Sequence, residues 1–197
     1  MKKRLIFILF GLSLFIFIAV QIAEYVKNQT VVLKKETTEK WALFSKSFDL
    51  LLIDLENLKK DSANMTTNDD LFKFLNKNIA HNSINNTDSF ELFCYQLNKK
   101  HFQQVSDSNI QNNMAIQNRL SQLNALSLAY NDMAKKHNVF VGTVPNFYII
   151  KENQRKRMPY FSVRFNQNNL DPALYKKRFN SYIETGQDRF INEPNKN

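Results

Sequence analysis

The stretch LIFILFGLSLFIFIAVQIA at residues 5–23 decides how this chain is built. Only Gly11, Ser13 and Gln21 interrupt its apolar character. As a helix with a rise of about 1.5 Å per residue it is about 28 Å long, which matches a hydrocarbon core of roughly 30 Å. A cleavable signal peptide usually has an apolar region of only about 7 to 15 residues. We therefore predict a transmembrane anchor at residues 5–23.

The flanking charges predict the orientation of this anchor. Lys2, Lys3 and Arg4 precede it, so the positive-inside rule puts residues 1–4 in the cytoplasm and everything after the anchor outside. The positions at which a signal peptidase would cut lack the small-x-small pattern. Cys94 is the only cysteine, which rules out an intrachain disulfide in the exported part. Packing alone must stabilise that part.

The composition favours long helices, because the 197 residues include only three glycines and four prolines. A helical stripe with alternating spacings of three and four, which Leu52 and Ile53 widen, begins at Trp41. No Pro or Gly lies between Ala23 and Trp41, so we expect the membrane helix to continue to about Lys60. The stripe consists of Trp41, Phe44, Phe48, Leu51, Leu55 and Leu58.

Two further helices follow two polar breaks and a short amphipathic stretch at residues 71–79. The first begins near Asp88 or Ser89 and puts Phe90, Phe93, Cys94, Leu97 and His101 on one face. The second runs from about Asp107 to Phe140 and ends before Gly142 and Pro145. We expect it to pack antiparallel to the first long helix through Ile116, Leu120, Leu123, Tyr130, Met133, His137 and Phe140.

Asn131 and Asn138 are seven residues apart, so they lie on one line beside this stripe. Their amides could bond across to a neighbouring helix. Polar residues at such a position usually fix the register of packing, and ligand binding is the less common role.

The same helix and the residues around it carry a recognisable set of short motifs. They are Tyr130, Asn131, Asp132, Asn138, Pro145, Asn146, Pro159, Tyr160 and Phe161, and upstream Tyr25, Val31, Val32, Trp41, Asn57 and Leu58. The first group resembles the C-terminal signature of the LemA family, and the second resembles the family's segment after its membrane helix. His137 and Val144 replace a Tyr and a Phe of the family pattern, so the chain resembles a divergent member. The resemblance implies an N-terminally anchored antiparallel bundle in a bacterial envelope membrane, and it implies no enzyme.

The remaining residues form a basic extension. Phe161, Val163 and Phe165 alternate with polar residues and could dock as an extended strip, and Asp171 with Pro172 opens a last helix that stops at Gly186. This region and the loop before it carry a basic patch: Lys151, Arg155, Lys156, Arg157, Lys176, Lys177 and Arg178. Such a patch suits anionic lipid or an acidic protein, or is only a solvated face. The exported location argues against nucleic acid.

Sequence motifs of catalysis are missing. The chain has no Gly-rich phosphate loop, no Gly-x-Ser-x-Gly elbow and no zinc-ligand pairing among His81, His101 and His137. Cys94 and His101 are two helical turns apart, about 10 Å, which favours two core residues over a reactive pair. We predict no enzyme, no cofactor and no metal site.

These observations predict an all-α protein with an N-terminal transmembrane helix and an antiparallel bundle of long helices. We divide the chain into a cytoplasmic N-terminus (1–4), an anchor (5–23), a LemA-like bundle (24–165) and a basic extension with one helix (166–197). The first functional hypothesis is a single-pass scaffold or interaction protein of the bacterial cytoplasmic membrane, with its bundle in the periplasm or outside the cell. The alternative is a module that binds the membrane surface or anionic lipid through its basic C-terminal region.

Overall fold

The computed structural model describes residues 2–61, 87–99, 113–167, 169 and 171–174. The regular elements of this part are helices, and no strand occurs among these residues. They are α1 (Lys2–Asp61), α2 (Thr87–Leu97), α3 (Met114–Gly142), α4 (Asn146–Ile149) and a 3-10 helix at Glu152–Gln154. The all-α prediction is confirmed for the described residues.

Helix α1 is 60 residues long and changes character along its length. From Ile6 to Ile22 every large apolar side chain is exposed, by 44–77%. In the segment Ile6–Asn57, the most apolar window of 18 residues has a mean hydropathy of 2.7, and none of it is buried within the structure. Among the described residues, this helix is the one long and apolar enough to cross a membrane.

The buried stripe of α1 confirms the expected seam as far as Leu55 and lengthens it towards the N-terminus, and the Leu58 side chain lies outside the described part of the structure. Trp41, Phe44, Phe48, Leu51 and Leu55 are buried, and the stripe continues backwards through Thr37 and Thr30 to Val26. The expectation that Ile53 widens the stripe is wrong, because its side chain is 50% exposed. It lies two residues before Leu55 and two after Leu51, a separation that turns a helical side chain to the opposite face.

The chain divides into two compact units, and α1 and α3 contribute to both. The first unit comprises Met1–Trp41 and Ala129–Tyr160. Its core contains a cluster of Val26, Val141 and Ile150, with Phe140 and Ile149 packed against it. The rings of Trp41 and Tyr130 are 5.0 Å apart. The buried hydroxyls of Thr30 and Thr37 donate to carbonyls one turn back on the same helix, at 2.8 and 2.7 Å.

The second unit comprises Ala42–Leu128 and Phe161–Asn197, and its described core is aromatic. Phe48 on α1 contacts Phe90 and Phe93 on α2, with ring centroids 5.0 and 5.9 Å apart. The ring of Phe161 lies 4.7 Å from that of Phe44. Helix α1 therefore packs against α2 through phenylalanine edges and faces, an arrangement that aromatic rings prefer.

Helix α3 begins later than the sequence pattern suggests. The predicted start at Asp107 lies outside the described residues, but Asn113 is not helical and caps the helix instead. Its Oδ1 accepts hydrogen bonds from the amides of Ala115 and Ile116 at 3.1 and 3.2 Å. The helix ends at Gly142, close to the predicted stop. Of the predicted stripe, Met133 and Phe140 are half-buried, and Ile116, Leu120, Leu123, Tyr130 and His137 are buried.

Several expectations fall outside the described residues. These are the amphipathic stretch at 71–79, the positions of His81 and His101, and the last helix beyond Leu174. The start of that helix is described: the Asp171 carboxylate accepts the amide of Ala173 at 2.8 Å, as an N-cap does, and Pro172 follows in the first helical position.

Candidate functional site

Tyr130 and Asn138, two residues of the predicted LemA-like signature, bind a non-helical segment, residues 158–167, that lies against the helices. We call this segment the strap. In the first unit the buried Tyr130 donates from its hydroxyl to the carbonyl of Pro159 at 2.6 Å. The structure thus brings together two residues that are 29 positions apart in the sequence. Tyr160 is half-buried beside them, and Phe161 is fully buried in the second unit.

Asn138 holds the beginning of the strap through a reciprocal pair of hydrogen bonds. Its Nδ2 donates to the carbonyl of Met158 at 2.8 Å, and the amide of Met158 donates to its Oδ1 at 2.7 Å. A carboxamide here takes the place of a peptide group and satisfies both backbone groups of one strap residue. The predicted role in fixing register stands as an interpretation, but the partner of Asn138 is strap backbone and not a neighbouring helix.

The second unit contains the same arrangement once, at Asn124, and a related one at Asn98, which bonds two successive strap residues. Asn124 exchanges a pair of hydrogen bonds with Phe165, at 3.0 and 2.8 Å. Asn98, directly after α2, donates to the carbonyl of Gln167 at 3.0 Å and accepts the amide of Asn166 at 2.6 Å. Asn166 has a φ of 58°, a left-handed conformation that asparagine tolerates better than most residues.

Sequence reasoning missed Asn98 and Asn124. A signal for Asn124 existed, because Asn124, Asn131 and Asn138 follow one another at intervals of seven on α3. Asn131, the signature residue between the two, is half-buried. No comparable spacing marks Asn98.

The strap side chains alternate as the sequence predicted. Phe161, Val163 and Phe165 are buried, and the residues between them make polar contacts. The backbone amide and the hydroxyl of Ser162 both donate to Glu91 Oε1, the hydroxyl at 2.5 Å. The guanidinium of Arg164 donates to the hydroxyl of Ser127 at 2.5 Å. Within the second unit the strap is therefore fixed by apolar burial on one side and by hydrogen bonds on the other.

The two candidate reactive side chains that the structure describes are both buried. Burial raises the pKa of the Cys94 thiol well above its usual value, and the nearby Glu91 adds to the effect. Burial also lowers the pKa of His137 below 6.5, assisted by Lys34 and opposed by a contact with Asn138. His137 Nδ1 lies 3.4 Å from Asn138 Oδ1, and its Nε2 is buried with no hydrogen-bond partner in the described part of the chain. Neither group is set up as a nucleophile or a base.

The basic patch is only partly described, because Lys176, Lys177 and Arg178 lie outside the described residues. Lys151, Lys156 and Arg157 are exposed on the first unit. Arg155 is half-buried, and its guanidinium carbon lies 4.3 Å from the centre of the Phe147 ring. Pro145 is exposed and directly precedes α4. The loop therefore combines cations with aromatic rings on one surface segment.

The side chains that could hold a metal ion are scattered in the described ranges, which omit His81 and His101. Within those ranges no group of three or more His, Cys, Asp or Glu side chains is placed to hold a metal ion. Many of the described polar contacts hold the strap or cap a helix, and Arg119 of α3 also pairs with Asp54 of α1 at 3.1 Å. These contacts hold a shape.

Comparison of the chain with protein-family models, curated proteins and solved structures gives no match. The LemA resemblance consequently remains a prediction that rests on the signature residues themselves.

Proposed function

We propose that this protein is a membrane-anchored helical scaffold or interaction protein of the bacterial cell envelope, a divergent relative of the LemA family. The observation that carries the proposal is the change along α1. Its first part exposes large apolar side chains on all sides, from Ile6 to Ile22, whereas from Val26 onwards it buries a single stripe. A helix that is apolar all round and has no protein cover is suited to lipid, and a one-sided helix to a protein core.

The contacts of the first unit support an antiparallel bundle. Val26 of α1 clusters with Val141 of α3, and Trp41 of α1 contacts Tyr130 of α3. Residue numbers thus rise along one helix as they fall along the other. In the proposed LemA-like bundle, Tyr130 and Asn138 hold the strap by hydrogen bonds to the carbonyls of Pro159 and Met158.

A scaffold role fits the chemistry better than catalysis. Polar side chains of the described interior make structural bonds, as the buried Asn98 and the half-buried Asn124 and Asn138 do. By contrast, α3 leaves the apolar side chains of Leu128 and Val139 exposed, one in each unit. Single exposed apolar side chains are ordinary on a protein surface, and a partner protein that docks on α3 would cover these two.

The proposed topology is tested by reporter fusion. An enzyme that is active only after export, fused behind Asn197, should be active in bacterial cells, because Lys2, Lys3 and Arg4 flank the cytoplasmic end of the anchor. A second reporter that is active only in the cytoplasm serves as the control at the same position. Activity of the second reporter alone would overturn the proposed orientation.

The scaffold role is tested by photocrosslinking in intact cells. A photoreactive residue at Leu128 or Val139 should give a discrete crosslinked envelope protein. The same residue at Lys135, which is exposed and charged, is the matched control on α3. Crosslinks to lipid alone at Leu128 and Val139, or the same pattern at all three sites, would contradict the scaffold proposal.

A further inference from the structure

We infer that the loop at residues 143–157 is a lipid-facing surface, which rests on the outer face of the bilayer and binds its anionic headgroups. The inference rests on the proposed anchor and adds to it a surface, a partner and an orientation. All residues involved belong to the first unit.

The position of the loop is set by the Val26 cluster. Val26 follows Ala23, the end of the apolar stretch, by three residues, which is about 4.5 Å along a helix. Val26 packs with Val141, at the end of α3, and with Ile150, directly after α4. The two ends of the part of the loop between Val141 and Ile150 are therefore held within about one helical turn of the point where α1 leaves the hydrocarbon core. The cations at residues 151–157 follow directly, and Arg155 is held to this part by its contact with Phe147. Headgroups occupy roughly 5 to 8 Å on each side of that core.

The side chains of the loop suit this location. Val144 and Tyr148 are 75% and 79% exposed, and Phe147 is 43% exposed. The rings of Phe147 and Tyr148 contact each other edge to face, with centroids 5.5 Å apart. Aromatic side chains are enriched at membrane interfaces, where the ring enters the apolar zone and a polar tip stays at headgroup level. In water these three side chains would form an uncovered apolar surface.

The charges of the loop identify the headgroups. Residues 143–157 carry Lys151, Arg155, Lys156 and Arg157 against the single acid Glu152. The Arg155 guanidinium lies over the Phe147 ring, so a cation and an aromatic side chain are held together. Cations close to a membrane are attracted to anionic lipid, and aromatic residues favour the same layer. An anionic headgroup of the phosphatidylglycerol type would bind these cations in the layer that the aromatic side chains favour.

The test uses the full chain reconstituted into vesicles that contain brominated phospholipid, which quenches nearby tryptophan emission. Tyr148→Trp introduces a reporter on the loop, and Val144→Trp provides an independent one. Met114→Trp is the control, because Met114 is 77% exposed and lies at the other end of α3. The unsubstituted chain gives the background of the buried Trp41.

We expect the emission added by Tyr148→Trp and by Val144→Trp to be mostly quenched, and the emission added by Met114→Trp to be retained. Equal quenching of the reporters at positions 148 and 114, in chains that float with the vesicles, would overturn the inference and leave the anchor intact. Such a loop would face away from the bilayer and be free for a protein partner. Failure of the full chain to float with the vesicles at all would instead overturn the proposed anchor.

The headgroup preference is tested by changing the lipid. Adding phosphatidylglycerol to phosphatidylcholine vesicles should increase the quenching in the Tyr148→Trp chain, and raising the salt concentration should reverse that increase. The increase should be lost when the exposed loop cations become glutamine and kept when an equal number of lysines on α1 are changed. The two sets are Lys151→Gln, Lys156→Gln and Arg157→Gln against Lys35→Gln, Lys40→Gln and Lys46→Gln. Quenching that is indifferent to phosphatidylglycerol would overturn the anionic preference.

Discussion

The interiors of the two units of this protein differ in composition. The described core of the second unit combines leucines with a group of phenylalanines, among them Phe48, Phe90 and Phe161. The described core of the first unit has an aromatic pair and the Val26 cluster, and it also includes small and polar side chains such as Thr30, Ala134 and His137. Aromatic side chains each bury about 150–250 Å² and dominate the stability of a core, whereas threonine contributes little apolar area. Apolar burial, and aromatic burial above all, therefore contributes more to the second unit than to the first.

The chain supplies a natural probe for each unit. Its only tryptophan, Trp41, belongs to the first unit, and its only cysteine, Cys94, is fully buried in the second. Urea unfolding of the full chain in lipid nanodiscs can therefore be followed separately, by Trp41 emission and by the rate at which Cys94 reacts with a thiol reagent. These two signals show which unit a substitution destabilises.

The largest effect is expected from Phe48→Ala. Removing the ring leaves a cavity beside Phe90 and Phe93 and should cost about 3 to 5 kcal/mol, by analogy with other buried aromatic truncations. Cys94 should react much faster at a given urea concentration. The exposed Lys46→Ala on the same helix is the control and should change stability by less than about 0.5 kcal/mol. Equal rates of Cys94 reaction in the two variants would contradict the claim that the aromatic side chains stabilise the second unit.

Tyr130→Ala is the corresponding change in the first unit. It removes the ring contact with Trp41 and the hydrogen bond to the Pro159 carbonyl, and we expect a loss of about 3 kcal/mol. Trp41 emission should shift to longer wavelength at lower urea concentration. Tyr130→Phe keeps the ring and should recover most of the loss. A Trp41 transition that is indifferent to Tyr130→Ala would contradict the packing of α1 against α3.

We call the paired hydrogen bonds between an asparagine side chain and the strap backbone asparagine clamps. Each clamp should contribute less to the free energy of unfolding than a core aromatic side chain. Asn138→Ala in the first unit and Asn124→Ala in the second each leave a strap amide and carbonyl without their partner, at a cost of about 1 to 3 kcal/mol. Because the first unit has less aromatic burial to compensate, Asn138→Ala should shift its transition by the larger fraction. Asn131→Ala should fall in the same range if its amide also holds the packing. Asn118→Ala, at an exposed position of α3, is the control. Clamp variants as stable as the control would refute the clamping role.

The smallest effect is a pH dependence confined to the first unit. Burial lowers the pKa of His137, so the folded chain keeps the imidazole neutral while the unfolded chain binds a proton near pH 6.5. Stability is then complete above pH 6.5 and falls as the pH drops through that value towards the lower folded pKa. His137→Gln should flatten the decrease seen by Trp41 between neutral and mildly acidic pH. An unchanged decrease in His137→Gln would assign it to other groups.

The sequence predicted the parts of this fold in which apolar residues recur at short, regular intervals. Helix α1 and its stripe from Trp41 onwards were recognisable because apolar residues recur every three or four positions. The N-terminal part of the stripe was not predicted because Thr30 and Thr37 are polar residues. Each nevertheless satisfies its hydroxyl by a hydrogen bond within its own helix. The asparagine clamps were not predicted for another reason. Asn124 and Phe165 are 41 positions apart, and no local pattern links an amide to a distant backbone group.

The anchor on which the proposed scaffold depends can be tested by alkaline carbonate extraction of membranes from bacterial cells that produce the full chain. We predict that the protein stays in the membrane pellet and that mass spectrometry of this material detects residues 5–23, because the stretch remains as a lipid-embedded helix. A cleavable signal sequence can be as long and as apolar as this stretch, but it would be removed from the mature protein. Release of the protein into the supernatant, or a mature chain that lacks these residues, would contradict the anchored scaffold.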